Sequence, residues 1–196
     1  MVEWYFRFFD QKIKNMLINI ITPCCRPENL HTISKSINIP KENYRWLIVF
    51  DMINQPNNEL IPDNCEVYCH KNPNSTSGNS QRNFALNLVD GGYIYFNDDD
   101  TTIHPELWEN IKDLDTDFIS FPQLNKNGVL RLTGDNINVG HIDSHNFIVS
   151  HSILGESRFI IDKYDADGYF AMECYNKTEN RIIINKPLSI YNLLRN

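Results

Sequence analysis

The sequence predicts an α/β protein built on a mostly parallel sheet flanked by helices. Three observations carry this expectation. Short apolar runs alternate with helix-patterned runs in the order β-α-β-β-α-β over the first half of the chain, an order that lays strands side by side with helices over them. The runs at 17–21, 45–50 and 93–96 each stop at turn-forming or acidic residues. The last of them leads straight into Asn97, Asp98, Asp99 and Asp100, and the carboxyl edge of an open α/β sheet is where such folds bind ligands.

Taken in order, residues 1–15 form an N-terminal extension. Trp4, Tyr5, Phe6, Phe8 and Phe9 crowd it, with Arg7, Lys12 and Lys14 between. It lacks the aliphatic core of a signal peptide. It reads as a helix packed on the domain or as a surface for peripheral membrane contact. Residues 17–21 are a strand, ended by Thr22 and Pro23. Leu30, Ile33 and Ile37 then recur at helical spacing. The strand 45–50 stops at Asp51. Asn and Pro fill 54–64, an exposed loop. Residues 65–69 are a third strand, and 72–78 a turn region. Residues 81–89 are helical, with Phe84, Ala85 and Leu88 on one side. Gly91 and Gly92 then break the chain before the aromatic, β-branched strand 93–96. Pro105 suits the first turn of a helix.

In the second half, 118–121 and 129–132 read as strands around the turn 125–128. A strand at 146–150, a helix at 167–176 and a strand at 181–185 follow. No repeat or boundary divides the 196 residues, so one domain is expected.

Composition narrows the function. The chain is 41% hydrophobic and 12% aromatic, as folded proteins are, and its net charge is -7. No basic stripe stands out, which argues against a nucleic-acid partner. Five cysteines, an odd number, suggest reduced thiols and a cytoplasmic setting. No apolar run is long enough to form a transmembrane segment.

Three adjacent carboxylates at a strand tip repel one another unless a cation sits among them. Oxygen ligands of this kind suit Mg²⁺ or Mn²⁺. The bland alternative is a solvated acidic turn. The apolar strand leading in and the helix start leading out argue against it.

Four segments resemble glycosyltransferases of the GT-A type, in the broad family 2-like group. The run from Ile18 through Thr22, Pro23 and Arg26 to Leu30 resembles the family's first strand and the loop that meets the nucleotide. Val49, Phe50 and Asp51 resemble its second strand and terminal acid. The segment Gly78 to Asn87 resembles the family's Gly-x-x-x-Ala-Arg-Asn helix start, with Gln81 in the Ala position. Asn97 to Asp100 resembles the metal-binding DXD motif. Order and spacing match over 17–108, and small stand-alone members from bacteria and large algal viruses look most similar. The resemblance implies a Rossmann-like GT-A sheet with a smaller mixed sheet on the acceptor side. It also implies a nucleotide-sugar-binding half at 17–108 and an acceptor-binding half at 109–196.

What the resemblance implies for single residues is as follows. Asp100 would be the direct ligand of Mn²⁺ or Mg²⁺, and Asp98 would reach the metal through water or bind the ribose. Asp99 would meet ribose or donor sugar beside Asn97. Asp51 would hydrogen-bond the base. Thr22, Pro23 and Arg26 would line the nucleotide pocket. Arg82 would bind diphosphate or sugar, or pair with the Asp cluster. In the looser second half, His141 to Phe147 looks like the segment that sets an acid, Asp143, beside the sugar. Tyr164 to Phe170 looks like the late acidic motif, so Asp167 or Asp165 would be the catalytic base. His145 is a candidate for a sugar hydroxyl.

The expected activity is metal-dependent, inverting transfer of a sugar from a nucleoside diphosphate, UDP ahead of GDP, to a glycan or other hydroxyl acceptor. The alternatives are a nucleotidyltransferase, whose Gly-rich basic signature near the first strand is missing, and a non-catalytic nucleotide-sugar-binding module. Hydrolase, P-loop and dehydrogenase signatures are absent from the sequence.

Overall fold

The computed structural model describes residues 16–51 and 57–195. The readings made for 1–15 and for the first part of the 54–64 loop lie outside these residues. Seven strands form the main sheet: β1 (Ile18–Cys24), β2 (Tyr44–Phe50), β3 (Glu66–Cys69), β4 (Tyr93–Phe96), β5 (Phe118–Ser120), β8 (Phe147–Ser150) and β9 (Arg181–Ile183), in the order β3-β2-β1-β4-β8-β5-β9. Pairings β3-β2, β2-β1, β1-β4 and β5-β9 are parallel, and β8 runs antiparallel to both neighbours. A second sheet of β6 (Gln123–Asn125), β7 (Leu130–Leu132) and β10 (Ser189–Tyr191) has the order β10-β6-β7. The predicted α/β class, mostly parallel sheet and smaller mixed sheet are all present.

Both faces of the main sheet are covered, and strand periodicity shows it. Ile18, Ile20, Trp46, Ile48, Phe50, Tyr93 and Tyr95 enter one core with α1 (Leu30–Ser36) and α3 (Leu107–Ile111). Ile21, Leu47, Val49, Ile94 and Phe96 enter the other with α2 (Asn79–Leu86) and α5 (Ala166–Tyr175). Successive strand side chains point to opposite faces, so continuous apolar runs mean cover on both sides. Phe96 fixes the start of the acidic turn. Its ring lies edge-on to Phe159 at 5.0 Å and to Phe170 of α5 at 5.6 Å. Each such contact adds about 0.5–1.5 kcal/mol beyond burial. The acids after β4 and the start of α5 are therefore anchored on one ring.

Three readings change. β1 continues through Thr22 and Pro23 instead of ending there. Main-chain groups of Leu17 and Ile21 bond toward β4, so by alternation Pro23 faces that side too. The β4 pairing has run out there, and the donor Pro23 lacks has no ladder to complete. Second, 118–121 and 129–132 are not partners. β5 belongs to the main sheet, and after Phe121 and Pro122 the hairpin partner of β7 is β6. Third, the short helix α4 (His151–Leu154) and β10 were not expected. Among the described residues no helix is long and apolar enough to cross a membrane.

Candidate active site

The carboxyl ends of β1, β2 and β4 open into a cleft of about 510 Å³. Asp98, Asp99 and Asp100 form one side, and Asp143, Asp165 and Asp167 line it as well. The three adjacent acids are held in three different ways.

Asp99 is used up inside the protein. One oxygen accepts the main-chain N–H groups of Cys25 and Arg26 at 2.6 and 2.7 Å, and the other accepts Arg26 Nη1 at 2.6 Å. It ties the loop after β1 to the loop after β4. Asp98 is also committed. Arg82 Nη2 donates to its Oδ1 at 2.5 Å, and His145 Nε2 lies 3.1 Å from its Oδ2. Burial works against its charge, but Arg82 and His145 outweigh burial and hold the carboxyl well below the usual range. Asp100 is different. It is 7% exposed, and among the described residues its Oδ1 has no hydrogen-bond partner and the nearest cation, Arg26 Nη1, is 3.7 Å from Oδ2. Burial first, then the Asp98 charge, push its pKa up.

A buried carboxylate oxygen with no hydrogen-bond partner, on a residue that lines the cleft, suits a divalent ion. Among the described residues no group of three or more His, Cys, Asp or Glu converges into a metal cage. Mg²⁺-type sites need no such cage, since one or two carboxylates plus substrate phosphates suffice. Asp100 fits that role, and Asp98, with both oxygens occupied, does not act as a direct ligand here.

Arg82 comes from the first turns of α2. That helix begins at Gly78, whose φ of +76° and approach to Pro23 leave no room for a side chain. Arg82 also donates to Ser77 O at 2.6 Å and lies 5.3 Å from the Phe159 ring centroid. Of the roles considered for it, the structure shows the ion pair with the acidic turn. Asp51, at the end of β2, faces the cleft and accepts from Gln81 Nε2 at 3.0 Å. Pro23 and Arg26 also line the cleft. Thr22 and Asn97 do not. Thr22 is buried, donating to Asn97 O at 2.7 Å and accepting from Trp46 Nε1 at 2.9 Å. The Asn97 amide turns to the main chain of Asp98 and Thr101.

Sequence reasoning undervalued His145. It is buried beneath Asp98. The Asp98 N–H points at Nε2 from 2.9 Å, which needs a bare nitrogen, while Asp98 Oδ2 at 3.1 Å needs Nε2–H. Burial pulls its pKa down, but Asp98 and then Asp143 outweigh it, and the pKa rises to about 9. The charged ring bonded to the carboxylate is the state this pair of acids favours. Asp143 caps the turn that carries His145, accepting from its N–H at 3.1 Å, while Asn146 closes a capping box. The Asp-x-x-Asn spacing is the sequence signal for that turn. The other Asp143 oxygen accepts from Arg131 Nη1 at 3.1 Å. Arg131 stacks on Tyr191 at 3.8 Å. It had no signal in sequence, because only the β6–β7 hairpin brings it to Asp143.

Asp165 holds the N-cap position of α5 without capping it, and Asp167 lies in the first turn, accepting the Gly168 N–H at 2.8 Å. Burial, then the Asp143 charge, raise Asp167 to about 6. Tyr191, Asn192 and Arg195 line the cleft too, and Leu194 N donates to Asp100 O at 2.7 Å.

No protein family's sequence pattern matches the chain, and no curated protein matches it. Solved structures do. Residues 1–349 of TarS from S. aureus, solved in complex with UDP-GlcNAc, share 17% identity over 89% of this chain and 58% of that one, at a TM-score of 0.72. A mannosyltransferase, PcManGT of Pyrobaculum calidifontis, solved with GDP-Man and Mn²⁺, shares 11% identity over 88% of this chain and 55% of that one, at 0.61. The chain has the GT-A glycosyltransferase fold. It spans about 60% of the 349-residue TarS piece. The acidic turn follows β4 at the carboxyl edge of the parallel strands, and the first turn of α5 lines the same cleft.

Proposed function

We propose that this chain is a metal-dependent, inverting glycosyltransferase that moves a sugar from a nucleoside diphosphate to a glycan or other hydroxyl acceptor. The observation that carries the reading is one cleft with two differently prepared carboxylates. Asp100 keeps a buried oxygen free, and Asp167 is raised to about 6. Transfer needs both: a counter-charge for the leaving diphosphate and a base for the acceptor hydroxyl.

Residues 17–108 hold the donor. Asp51 meets the base, and Pro23 and Arg26 flank the nucleotide. A divalent ion, Mn²⁺ or Mg²⁺, held by Asp100 would supply Lewis-acid stabilisation of the diphosphate. Residues 109–196 hold the acceptor. The acceptor oxygen gives its proton to Asp167 as it bonds to the anomeric carbon. The bond from that carbon to phosphate breaks, and the diphosphate leaves with the electron pair. Attack opposite the leaving group inverts the anomeric centre. Asp143, both oxygens committed, positions Arg131 and His145. Asp165 is the alternative base. Asp167 is preferred because its raised pKa lies nearer the working range of a general base. The family 2-like assignment rests on the four motif segments. The UDP-GlcNAc and GDP-Man complexes of proteins with this fold support a nucleotide-sugar donor, and we put UDP ahead of GDP.

Incubating the protein with Mn²⁺ and a panel of UDP- and GDP-sugars tests this. Slow release of free UDP or GDP is expected. Pyrophosphate release would show a nucleotidyltransferase, and binding without turnover a sugar-binding module.

A further inference from the structure

We propose that Arg26 is a built-in counter-ion that keeps the Asp100 site closed to divalent cations until a nucleoside diphosphate draws the guanidinium away. This rests on the reading of Asp100 as the metal-binding acid. A single nitrogen, Arg26 Nη1, stands 2.6 Å from Asp99 Oδ1 and 3.7 Å from Asp100 Oδ2. It bridges the two carboxylates where a cation would approach them. Asp100 lines the cleft, with Oδ1 buried and unpartnered among the described residues. One oxygen lacks a partner, and the other lies beside the Arg26 charge. Like charges within about 4–6 Å disfavour each other strongly.

The guard is detachable. The Arg26 side chain is 33% exposed, so it has room to turn. Asp99 stays anchored when it leaves, because the main-chain N–H groups of Cys25 and Arg26 still bond its Oδ2, while Oδ1 gives up its Arg26 partner and joins Asp100 in facing the incoming ion. A diphosphate entering the cleft offers the guanidinium a bidentate partner of higher charge than a single carboxylate. Moving Arg26 onto the phosphates exposes Asp100 to the metal at the moment when phosphate oxygens arrive to complete its coordination. Metal and nucleotide then bind with positive coupling, and linkage makes that coupling equal from either side. The benefit is that a cleft lined by seven carboxylates, Asp51, Asp98, Asp99, Asp100, Asp143, Asp165 and Asp167, does not fill with cations in the absence of substrate.

The test is Mn²⁺ titration followed by electron paramagnetic resonance, with and without saturating UDP or GDP, on the wild type, Arg26→Gln and Arg26→Lys. Wild type should bind Mn²⁺ weakly alone and at least about tenfold more tightly with nucleotide, a coupling of ordinary allosteric size. Arg26→Gln should bind Mn²⁺ more tightly alone, and the nucleotide effect should shrink. Arg26→Lys keeps the charge and should behave like wild type in the nucleotide-free titration, which separates charge from general disruption of the loop. Adding Asp100→Asn to Arg26→Gln should abolish the gained site. If Arg26→Gln leaves nucleotide-free Mn²⁺ affinity unchanged while nucleotide still promotes metal binding, the counter-ion role is wrong and the metal reading stands. If no protein binds Mn²⁺ even with nucleotide, both are wrong.

Discussion

Arg82 Nη2 and Asp98 Oδ1 meet at 2.5 Å under the cleft, and the guanidinium is the deeper of the two, 5% exposed against 27%. Removing Arg82 leaves Asp98 largely dry with only His145 beside it. Arg82→Ala should cost about 3 kcal/mol, the low end for breaking a buried pair, measured by urea unfolding. The contrast is Lys112→Ala, which removes an exposed i,i+3 pair with Glu109 and should leave the urea midpoint essentially unchanged. The Asp98 carboxyl is depressed in the folded state, so its contribution is full above the unfolded pKa of about 3.9 and is lost as pH falls toward the folded value. The gap between wild type and Arg82→Ala should therefore narrow below about pH 4. An unchanged gap there would show that Arg82 acts through packing on Phe159 rather than through charge.

That ion pair also marks the limit of what could be read in the sequence. Local signals sufficed for the strands of the first half of the chain, because a fully covered strand writes itself as an apolar run. They sufficed for the acidic turn, because an apolar strand leads into the three carboxylates and a helix start leads out. The division of labour among those three was invisible. Asp99 is consumed by two main-chain amides 73 and 74 residues away, and Asp98 by a histidine 47 residues away, contacts that no local pattern encodes. Thr22 was misplaced for a related reason. Its side chain alternates inward toward Trp46, and that became clear only once β1 was seen to continue through Pro23.

Asp100 is expected to trade stability for binding. Its pKa is raised by burial and by Asp98, so its charge opposes folding once the pH exceeds the unfolded value. Asp100→Asn should raise the melting temperature at pH 7 by about 2–4 °C, the shift that roughly 1 kcal/mol gives in a chain of this size. The gain should vanish near pH 3, where the wild-type carboxyl is protonated in both states. The same variant should lose Mn²⁺-dependent capture of UDP, read by calorimetry. A less stable Asp100→Asn at pH 7 would mean that the carboxylate has a partner inside the fold.

Gly78 joins the end of β1 to the start of α2. An added Cβ would stand 2.7 Å from Pro23 Cβ at a φ of +76°, and a proline ring in mid-strand does not yield. Gly78→Ala should cost about 1–3 kcal/mol and should weaken nucleotide binding, because Arg82 rides on the displaced helix. Gly128→Ala is the control. Its φ is +78° with open space around it, so it should cost only about 1 kcal/mol and leave binding intact. Equal losses of binding would show that backbone strain alone, and not the Pro23 contact, disturbs the cleft.

Asp167 should set the acid limb of the pH–rate profile. A general base works only when ionised, and this carboxyl is raised to about 6 by burial and by Asp143. With a nucleotide sugar and Mn²⁺ present, kcat/KM should fall about tenfold per pH unit below roughly 6 and level off above it. An ordinary aspartate would put that limb near 3.9. Asp167→Asn should cut turnover by at least about a hundredfold while UDP affinity stays within about twofold, since its proposed role is to take the acceptor's proton and not to hold the donor. Asp165→Asn made in parallel settles which acid serves. If Asp165→Asn abolishes turnover and Asp167→Asn leaves the limb near 6 in place, the proton goes to Asp165, and Asp167 is only the residue that bonds the Gly168 N–H at the start of α5.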